Sequence, residues 1–296
     1  TSLLDRFPDQ KEVLLAASVA HSSTRPPSTD TAYELIERYL SYEDLTPRQV
    51  QLGYLAKART DLAQERLQPA EESARKVLAA GPDGEVVAEG TLILSKALAA
   101  LGDFERSLDV LRNSVSPEAG RFEAPLMLAR AVAFAQAGFF DEARKALDAT
   151  IFRFPGTAEA LGARYHLARL LYEKGQLQAA KDALISLLDD MSAQEIIKTA
   201  YFDVDDLAQL WFSVGREILD KDGSKAVHEY HLAALVLMTE GRLLYFDAIL
   251  YLREAELLEK SLLGLPKTQY AEVSEQIKRA YLEAGKTFAR VLETSS

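Results

Sequence analysis

Residues 165–180 read YHLARLLYEKGQLQAA. Apolar side chains in the first half of this stretch recur three and four residues apart, which is the spacing of one face of an α-helix. Gly175 then interrupts the pattern, and a second helical pattern begins at Leu177. Glycine readily adopts the left-handed backbone conformation that ends a helix. The stretch therefore predicts two helices joined by a tight turn.

The same arrangement occurs twice more, upstream of this stretch. Gly102 and Gly138 also separate two helical patterns, and the three turn glycines are 36 and 37 residues apart. Prolines recur on a similar scale, with gaps of 39, 35, 35 and 38 residues between Pro8, Pro47, Pro82, Pro117 and Pro155. A period of roughly 34–47 residues between helical segments is typical of helical-repeat solenoids. We therefore expect stacked helix pairs.

Each predicted pair carries a small residue shortly after its turn glycine. These residues are Ser107, Ala143 and Ala180. Small side chains allow two helices to approach closely, while larger apolar side chains fill the space between neighbouring pairs. We expect the three residues at close contacts between helices.

These patterns resemble the tetratricopeptide repeat (TPR) family. The residues that follow the family consensus are Tyr165-x-Leu167-Ala168-x-x-Leu171-Tyr172-x-x-Gly175-x-Leu177-x-x-Ala180, with Asp103-Phe104 after Gly102 and Phe140-Asp141-Glu142-Ala143 after Gly138. The resemblance implies an all-α fold, a right-handed superhelix of antiparallel helix pairs that forms a TPR-like α-solenoid. It also implies a protein that holds other proteins and carries out no chemistry of its own.

The resemblance covers the chain unevenly. Residues 88–190 hold the three best units, whereas residues 52–81 match less well, with Pro69 at the place where we expect the turn glycine. We expect residues 1–190 to form TPR-like repeats. Residues 191–296 are expected to hold divergent helical repeats and longer C-terminal capping helices, roughly at 242–263 and 267–292.

Composition limits the classes of ligand. With 45 acidic and 34 basic residues the net charge is −11, which disfavours nucleic acid as the main ligand because its phosphates repel an acidic surface. The absence of cysteine excludes disulfides, thiolate metal sites and a cysteine nucleophile. The chain begins at Thr1, from which we expect a processed protein or part of a longer one.

No constellation of residues predicts an enzyme, a metal site or a cofactor site. His228 and His231 are three residues apart, but no third ligand stands at useful spacing, so we interpret them as polar surface residues. Asp203, Asp205 and Asp206 lack the glycine and the final glutamate of a calcium loop, and helix capping accounts for them.

A partner-binding groove is the functional site that the resemblance implies. In TPR proteins the first helix of each pair lines the concave face, and the residues predicted to line it here are Arg59, Arg66, Lys96, Gln136, Tyr165, Arg169, Tyr172 and Trp211. Basic and aromatic side chains on an acidic protein favour a protein partner that bears acidic residues. The alternative is that these arginines are solvated or paired with Glu of a neighbouring repeat, and that the chain is a structural or self-associating segment.

The longer-than-usual period, with Phe7-Pro8 and Phe154-Pro155 each ending a pair, resembles a bacterial subgroup of these repeats. Lipoproteins of outer-membrane assembly and periplasmic division proteins carry such repeats. The resemblance favours the periplasm or cell envelope over the cytoplasm, with a membrane-associated complex as the setting. No run of about 18 apolar residues is present, so no transmembrane helix is predicted.

Overall fold

The computed structural model of the chain describes residues 10–22, 29–81, 83–112, 117–193, 199–222 and 266–294, with isolated positions between 230 and 262. This part of the chain is helical and contains no strand, as the sequence predicts. The predictions for His228 and His231, and for most of 242–263, concern residues outside this part.

The helices alternate with short turns. Their bounds are α1 Lys11–Ser22, α2 Thr29–Leu40, α3 Pro47–Ala63, α4 Leu67–Ala80, α5 Gly84–Ala100, α6 Phe104–Arg112, α7 Glu123–Gln136, α8 Phe140–Arg153, α9 Ala158–Glu173, α10 Leu177–Ala193, α11 Val204–Asp222 and α12 Tyr270–Thr294. Short 3₁₀ segments, Pro117–Phe122 and Lys267–Gln269, precede α7 and α12. The last predicted helix, 267–292, is thus confirmed as one long helix.

Two compact units make up the chain, Thr1–Thr150 (unit 1) and Ile151–Ser296 (unit 2). Within unit 1, α3 contacts its pair mate α4, and α5 contacts its pair mate α6. The first helices also touch in succession, α3 with α5 and α5 with α7. In unit 2, α9 pairs with α10, and α11 contacts both. Within each unit these helices therefore pack on their neighbours in the order that the repeat pattern predicts.

Four turns between paired helices share one backbone geometry. Gly102, Gly138 and Gly175 have φ of 82°, 83° and 70°, in the left-handed region that ends a helix. The turn between α3 and α4 uses Glu65, with φ of 58°, at the corresponding place. Our prediction that Pro69 takes the glycine's place is wrong. Pro69 lies in the first turn of α4, where a missing N–H costs little.

The small residues predicted at close helix contacts are buried. Ala143 and Ala180 are fully enclosed, and Ser107 is 2% exposed. The Ser107 hydroxyl on α6 donates to the backbone oxygen of Ser95 on α5 at 2.9 Å, which shows how closely this pair approaches. Polar contacts of this kind add a modest net stability, about 0.5–1.5 kcal/mol each.

The N-termini of several helices are fixed by side-chain caps. Thr46 and Gln49 form a reciprocal capping box at the start of α3, and Asp83 caps α5 by accepting from the Val86 N–H. At α11 the cap is Asp203, whose carboxylate accepts from the Asp206 N–H at 2.7 Å. Capping therefore accounts for Asp203, as the sequence indicates.

Candidate protein-interaction face

In the first helix of each pair, α3, α5, α7 and α9, the exposure of a side chain depends on how many residues it precedes the turn residue, which is Glu65, Gly102, Gly138 or Gly175. The position ten residues before the turn residue is buried in all four pairs; it is occupied by Leu55, Leu92, Leu128 and Tyr165. The positions two, three and six residues before the turn remain at least partly accessible to solvent. We call these three positions the first-helix face. They are Arg59, Leu62, Ala63, Lys96, Ala99, Ala100, Val132, Ala135 and Gln136 in unit 1, and Arg169, Tyr172 and Glu173 in unit 2.

Arg59 lies on this face but is held within the chain. Its Nε and Nη2 atoms each donate to one carboxylate oxygen of Glu89 at 2.5 Å, which joins α3 to α5. The bidentate pair is half-exposed on the arginine side and mostly buried on the glutamate side. Such fork-to-fork pairs fix geometry as well as charge. This pairing with Glu of the neighbouring repeat is the alternative that the sequence left open for the arginines.

Arg66 is placed by the turn after α3 and not by the helix itself. Its Nη2 atom lies 3.0 Å from Oδ1 of Asp61, whose side chain is fully buried, and its guanidinium carbon lies 4.2 Å from the centre of the Tyr33 ring. Burial raises the pKa of Asp61, and the nearby Arg66 charge counteracts that rise. Arg66 therefore balances a buried carboxylate and supports the turn that contains Glu65.

Lys96 and Gln136 are exposed members of the first-helix face in unit 1. Lys96 forms no ion pair with any residue that the structure describes. Around it the face is built from small or aliphatic side chains, such as Ala99 and Val132. This part of unit 1 therefore presents small and aliphatic side chains around the charge of Lys96.

Tyr165 is a core residue. It is 6% exposed, and its ring stacks on Phe202 with centroids 4.8 Å apart. Burial raises the pKa of the Tyr165 phenol, and the Asp206 carboxylate adds a smaller rise. Tyr165 thus packs inside unit 2, because it occupies the position that is buried in every pair, and our prediction that it lines an open groove is corrected.

Trp211 is also buried, at 1% exposure, so it cannot extend a solvent-facing row. Its ring stacks on Tyr230 with centroids 3.8 Å apart, and the Tyr230 hydroxyl donates to the Trp211 backbone oxygen at 3.2 Å. The aromatic residue anchors α11 in the core of unit 2. Its large apolar area explains this placement better than a surface role does.

Arg169 and Tyr172 remain at the surface of unit 2. The Arg169 Nε atom donates to the Glu173 carboxylate at 2.8 Å, an i,i+4 pair that raises the pKa of the guanidinium. Tyr172 is half-buried, and its hydroxyl interacts with Glu217 and Ser213 on α11. Burial, and next the Glu217 carboxylate, raise the pKa of Tyr172. Tyr172 therefore links α9 to α11 while one side of it faces solvent.

The polar residues of α11 are not among the site residues predicted from the sequence. Arg216 on this helix is exposed and lies near enough to Tyr172 to favour its ionised form. Helical spacing places Asp206, Gln209, Ser213 and Arg216 on one side of α11, so the pattern itself could have identified them.

In the described part of the chain no group of three His, Asp or Glu side chains is arranged to hold a metal ion. Nor does a described helix combine the length and apolar character needed to cross a membrane.

Comparison with known proteins agrees with this architecture. The tetratricopeptide repeat family profile matches residues 128–195. No curated protein matches the sequence. Among solved structures, PilW, a type IV pilus biogenesis factor, has a TM-score of 0.57 at 19% identity, covering 75% of this chain and 90% of its own.

Two further structures share the helix-pair fold. The apo form of RapI has a TM-score of 0.60 at 10% identity and covers 95% of this chain and 99% of its own. TPR-like repeats of a putative kinesin light chain from Podosopora anserina reach 0.53 at 17% identity, covering 64% of this chain and 98% of their own. Identities this low support the fold alone. Residues 128–195 are therefore tetratricopeptide repeats, and the chain has the fold of a TPR-like α-solenoid.

Proposed function

We propose that this protein is a non-enzymatic adaptor whose first-helix face, in unit 1 and in unit 2 each by itself, binds an extended or helical segment of another protein. Tetratricopeptide helix pairs support protein–protein interaction in general. The observation that carries the proposal is the register of exposure: three positions of each first helix stay accessible while the position ten residues before the turn is always buried. One side of each first helix is thus left for a ligand.

The chemistry of the face favours a partner segment that bears acidic residues. Lys96 in unit 1 is an exposed cation without an ion pair among the described residues, on a chain whose net charge is −11, and Arg169 in unit 2 is an exposed cation that shares its charge with Glu173. Tyr172 adds a large, rigid contact surface beside Arg169, and aromatic and arginine side chains dominate the energetics of protein interfaces. Opposite charge on the partner would speed association and fix its register.

A structural role is the second candidate, and the Arg59–Glu89 pair favours it. This pair uses the cation of one first helix to bind the next, so that part of the face holds the repeats together. On this view the chain spaces or links other domains and has no ligand on its face. The two candidates differ in whether exposed residues such as Tyr172 and Gln136 contact another protein.

We place the adaptor in a bacterial cell-envelope assembly. The support is the period with Phe154-Pro155 at a pair end and the likeness in fold to PilW. Fractionation of the source cells into cytoplasm, membrane and periplasm, with antibody detection of the chain, tests this location. Recovery in the cytoplasmic fraction alone would contradict it.

Site-specific photo-crosslinking tests the adaptor proposal. A benzoyl-phenylalanine is introduced at Tyr172 or Gln136 on the first-helix face, and at Asp182 or Lys145 on second helices as exposed controls. After irradiation in native lysate, we expect a crosslinked partner protein at each of the two first-helix positions and little at the controls. Equal labelling at all four positions would favour the structural alternative.

The identified partner then allows a direct binding measurement. We expect Arg169→Glu combined with Tyr172→Ala to weaken binding about tenfold or more, because the variant removes the aromatic contact and reverses a charge. Lys181→Glu on α10 is the control, with the same charge change on the second helix of the same pair. Binding by wild type should also weaken as salt rises, since exposed charges are screened beyond about 8–10 Å. Unchanged affinity of a folded double variant would refute the proposed face.

A further inference from the structure

One side of α11 carries a stripe of four polar side chains, with an acidic residue at one end and a basic residue at the other. Asp206, Gln209, Ser213 and Arg216 follow the spacing i, i+3, i+7 and i+10, which aligns them along one side of a helix. The opposite side holds buried Trp211 and other apolar residues of the core. The stripe runs from a carboxylate through an amide and a hydroxyl to a guanidinium.

The two charges at the ends of this stripe have no ion-pair partner among the described residues. The other charges around them are matched within the chain: Glu173 pairs with Arg169 at 2.8 Å, and Glu217 lies 3.5 Å from Lys221. Once these pairs are set aside, Asp206 and Arg216 are the charges that remain on this side of α11 among the side chains that the structure describes.

Stabilisation of α11 by the helix dipole explains the charge at only one end of the stripe. Asp206 stands in the first turn of α11, where a carboxylate interacts favourably with the helix dipole. Arg216 lies six residues before the helix ends at Asp222, outside the last turn in which a cation would gain from the dipole. Burial raises the pKa of the half-buried Tyr172, and the Arg216 charge lowers it by a smaller amount. An exposed arginine that forms no ion pair with the described residues is suited to binding a carboxylate from outside.

We propose that this stripe selects partner segments that carry an acidic and a basic residue about 15 Å apart, with the acidic residue at Arg216 and the basic residue at Asp206. The distance follows from ten residues of helix at 1.5 Å each. In an extended segment this separation corresponds to roughly four to five residues, and in a helical segment to about ten. The inference rests on the proposed adaptor function and names the partner's charge pattern.

The middle of the stripe fits an extended backbone. The Ser213 hydroxyl donates to the Gln209 backbone oxygen at 2.9 Å, so its own oxygen remains able to accept a hydrogen bond. The exposed Gln209 amide can both donate and accept. These groups match the N–H and C=O groups that a bound segment presents, while the charges at the ends set its direction.

Selection from phage-displayed random peptides of about 16 residues, a length that covers both spacings, tests the inference without knowledge of the natural partner. Wild-type protein should enrich peptides with an acidic and a basic residue at one of the two predicted separations. Arg216→Glu should lower the affinity of a selected peptide about tenfold or more. The double variant Asp206→Lys with Arg216→Glu, which keeps the net charge, should enrich peptides of the opposite charge order.

The control variant is Lys181→Glu with Asp189→Lys on α10, which also preserves net charge and should leave the selected charge order unchanged. Circular dichroism of each variant confirms that it is folded. Enrichment of peptides without the charge pair, or of the same order by wild type and the swapped variant, would overturn the inference. Crosslinks at Tyr172 and Gln136 would still stand in that case, so its failure is distinguishable from failure of the adaptor function.

Discussion

The turn at Glu65 offers a sharp test of how the repeats are built. Glu65 has φ of 58° and stands 37 residues before Gly102, so it occupies the place of a turn glycine. Its side chain is exposed and forms no ion pair in the part of the chain that is described. Glu65→Gly therefore removes backbone strain without removing a contact. We expect the substitution to stabilise unit 1.

The magnitude follows from two opposing effects. A left-handed conformation costs a residue with a Cβ atom roughly 1–2 kcal/mol. Glycine gives back about 0.4–1 kcal/mol through its greater freedom in the unfolded chain. The net gain in the free energy of unfolding is then about 0.5–1 kcal/mol. For a unit of 150 residues this corresponds to a rise of roughly 1–4 °C in the melting temperature.

Chemical denaturation and thermal melting of matched variants measure this effect. Gln64→Gly is the control, because Gln64 is the neighbouring residue with φ of −98°, where glycine brings entropy cost and no relief of strain. Gly102→Ala is the mirror experiment. No atom lies within 4 Å of a Cβ built at Gly102, so its cost comes from the backbone alone and should be about 0.5–1 kcal/mol. If Glu65→Gly is neutral or destabilising while Gly102→Ala destabilises as expected, the turn at Glu65 is not strained and the reasoning fails.

Three further predictions concern packing, charge and pH. Ala180→Phe should overpack the contact between α9 and α10 and lower the free energy of unfolding by about 1–3 kcal/mol, and an unchanged melting temperature would show that the register of the pair is wrong. A double-mutant cycle of Arg59→Ala and Glu89→Ala should give a coupling energy of about 0.5–1 kcal/mol that falls with salt; a coupling near zero would mean that the pair does not join the helices. Burial, and next the Arg169 charge, lower the pKa of His166 to about 4, below the 6.5 of the unfolded chain. The free energy of unfolding should therefore decrease as pH falls from 6.5 towards 4. His166→Phe should flatten part of that pH dependence, and an identical slope in the variant would contradict the prediction.

The sequence located the turns that use glycine and missed the one that does not. Glycine is a reliable signal because its missing Cβ makes the left-handed region accessible. Glu65 carries no such signal, and Pro69 drew attention because proline and glycine are the common markers of a turn. Spacing held more information than residue type here, since Glu65, Gly102, Gly138 and Gly175 are separated by 37, 36 and 37 residues. A search on period alone would have placed the turn correctly.

The exposure expected of the predicted site residues agrees with the structure where it depends on the helix itself and differs where it depends on neighbouring helices. Lys96, Gln136, Arg169 and Tyr172 lie on the accessible positions of their helices, as helical periodicity predicts. Arg59 lies there too, yet Glu89 on another helix holds it. Tyr165 stands at the position that is buried in every pair, and there its ring stacks on Phe202. Neither partner is marked by the spacing of its own segment, so only the assembled fold identifies these contacts.

The residue ten positions before each turn changes from leucine to tyrosine at the fourth pair, where the regular repeat ends. In the first three pairs it is a leucine in the core of unit 1, and in the fourth it is Tyr165, which stacks on Phe202 just before α11. A hydroxyl at a core position needs polar neighbours, and Arg169 supplies one. The polar contacts of α9 and α11 therefore begin where the leucine pattern ends. Repeats with the same residues at the same positions cannot distinguish one partner from another. Specificity in a repeat array must therefore come from positions whose residue differs from the regular pattern. The proposed recognition chemistry therefore lies on Tyr172 and the α11 stripe, next to the last regular repeat.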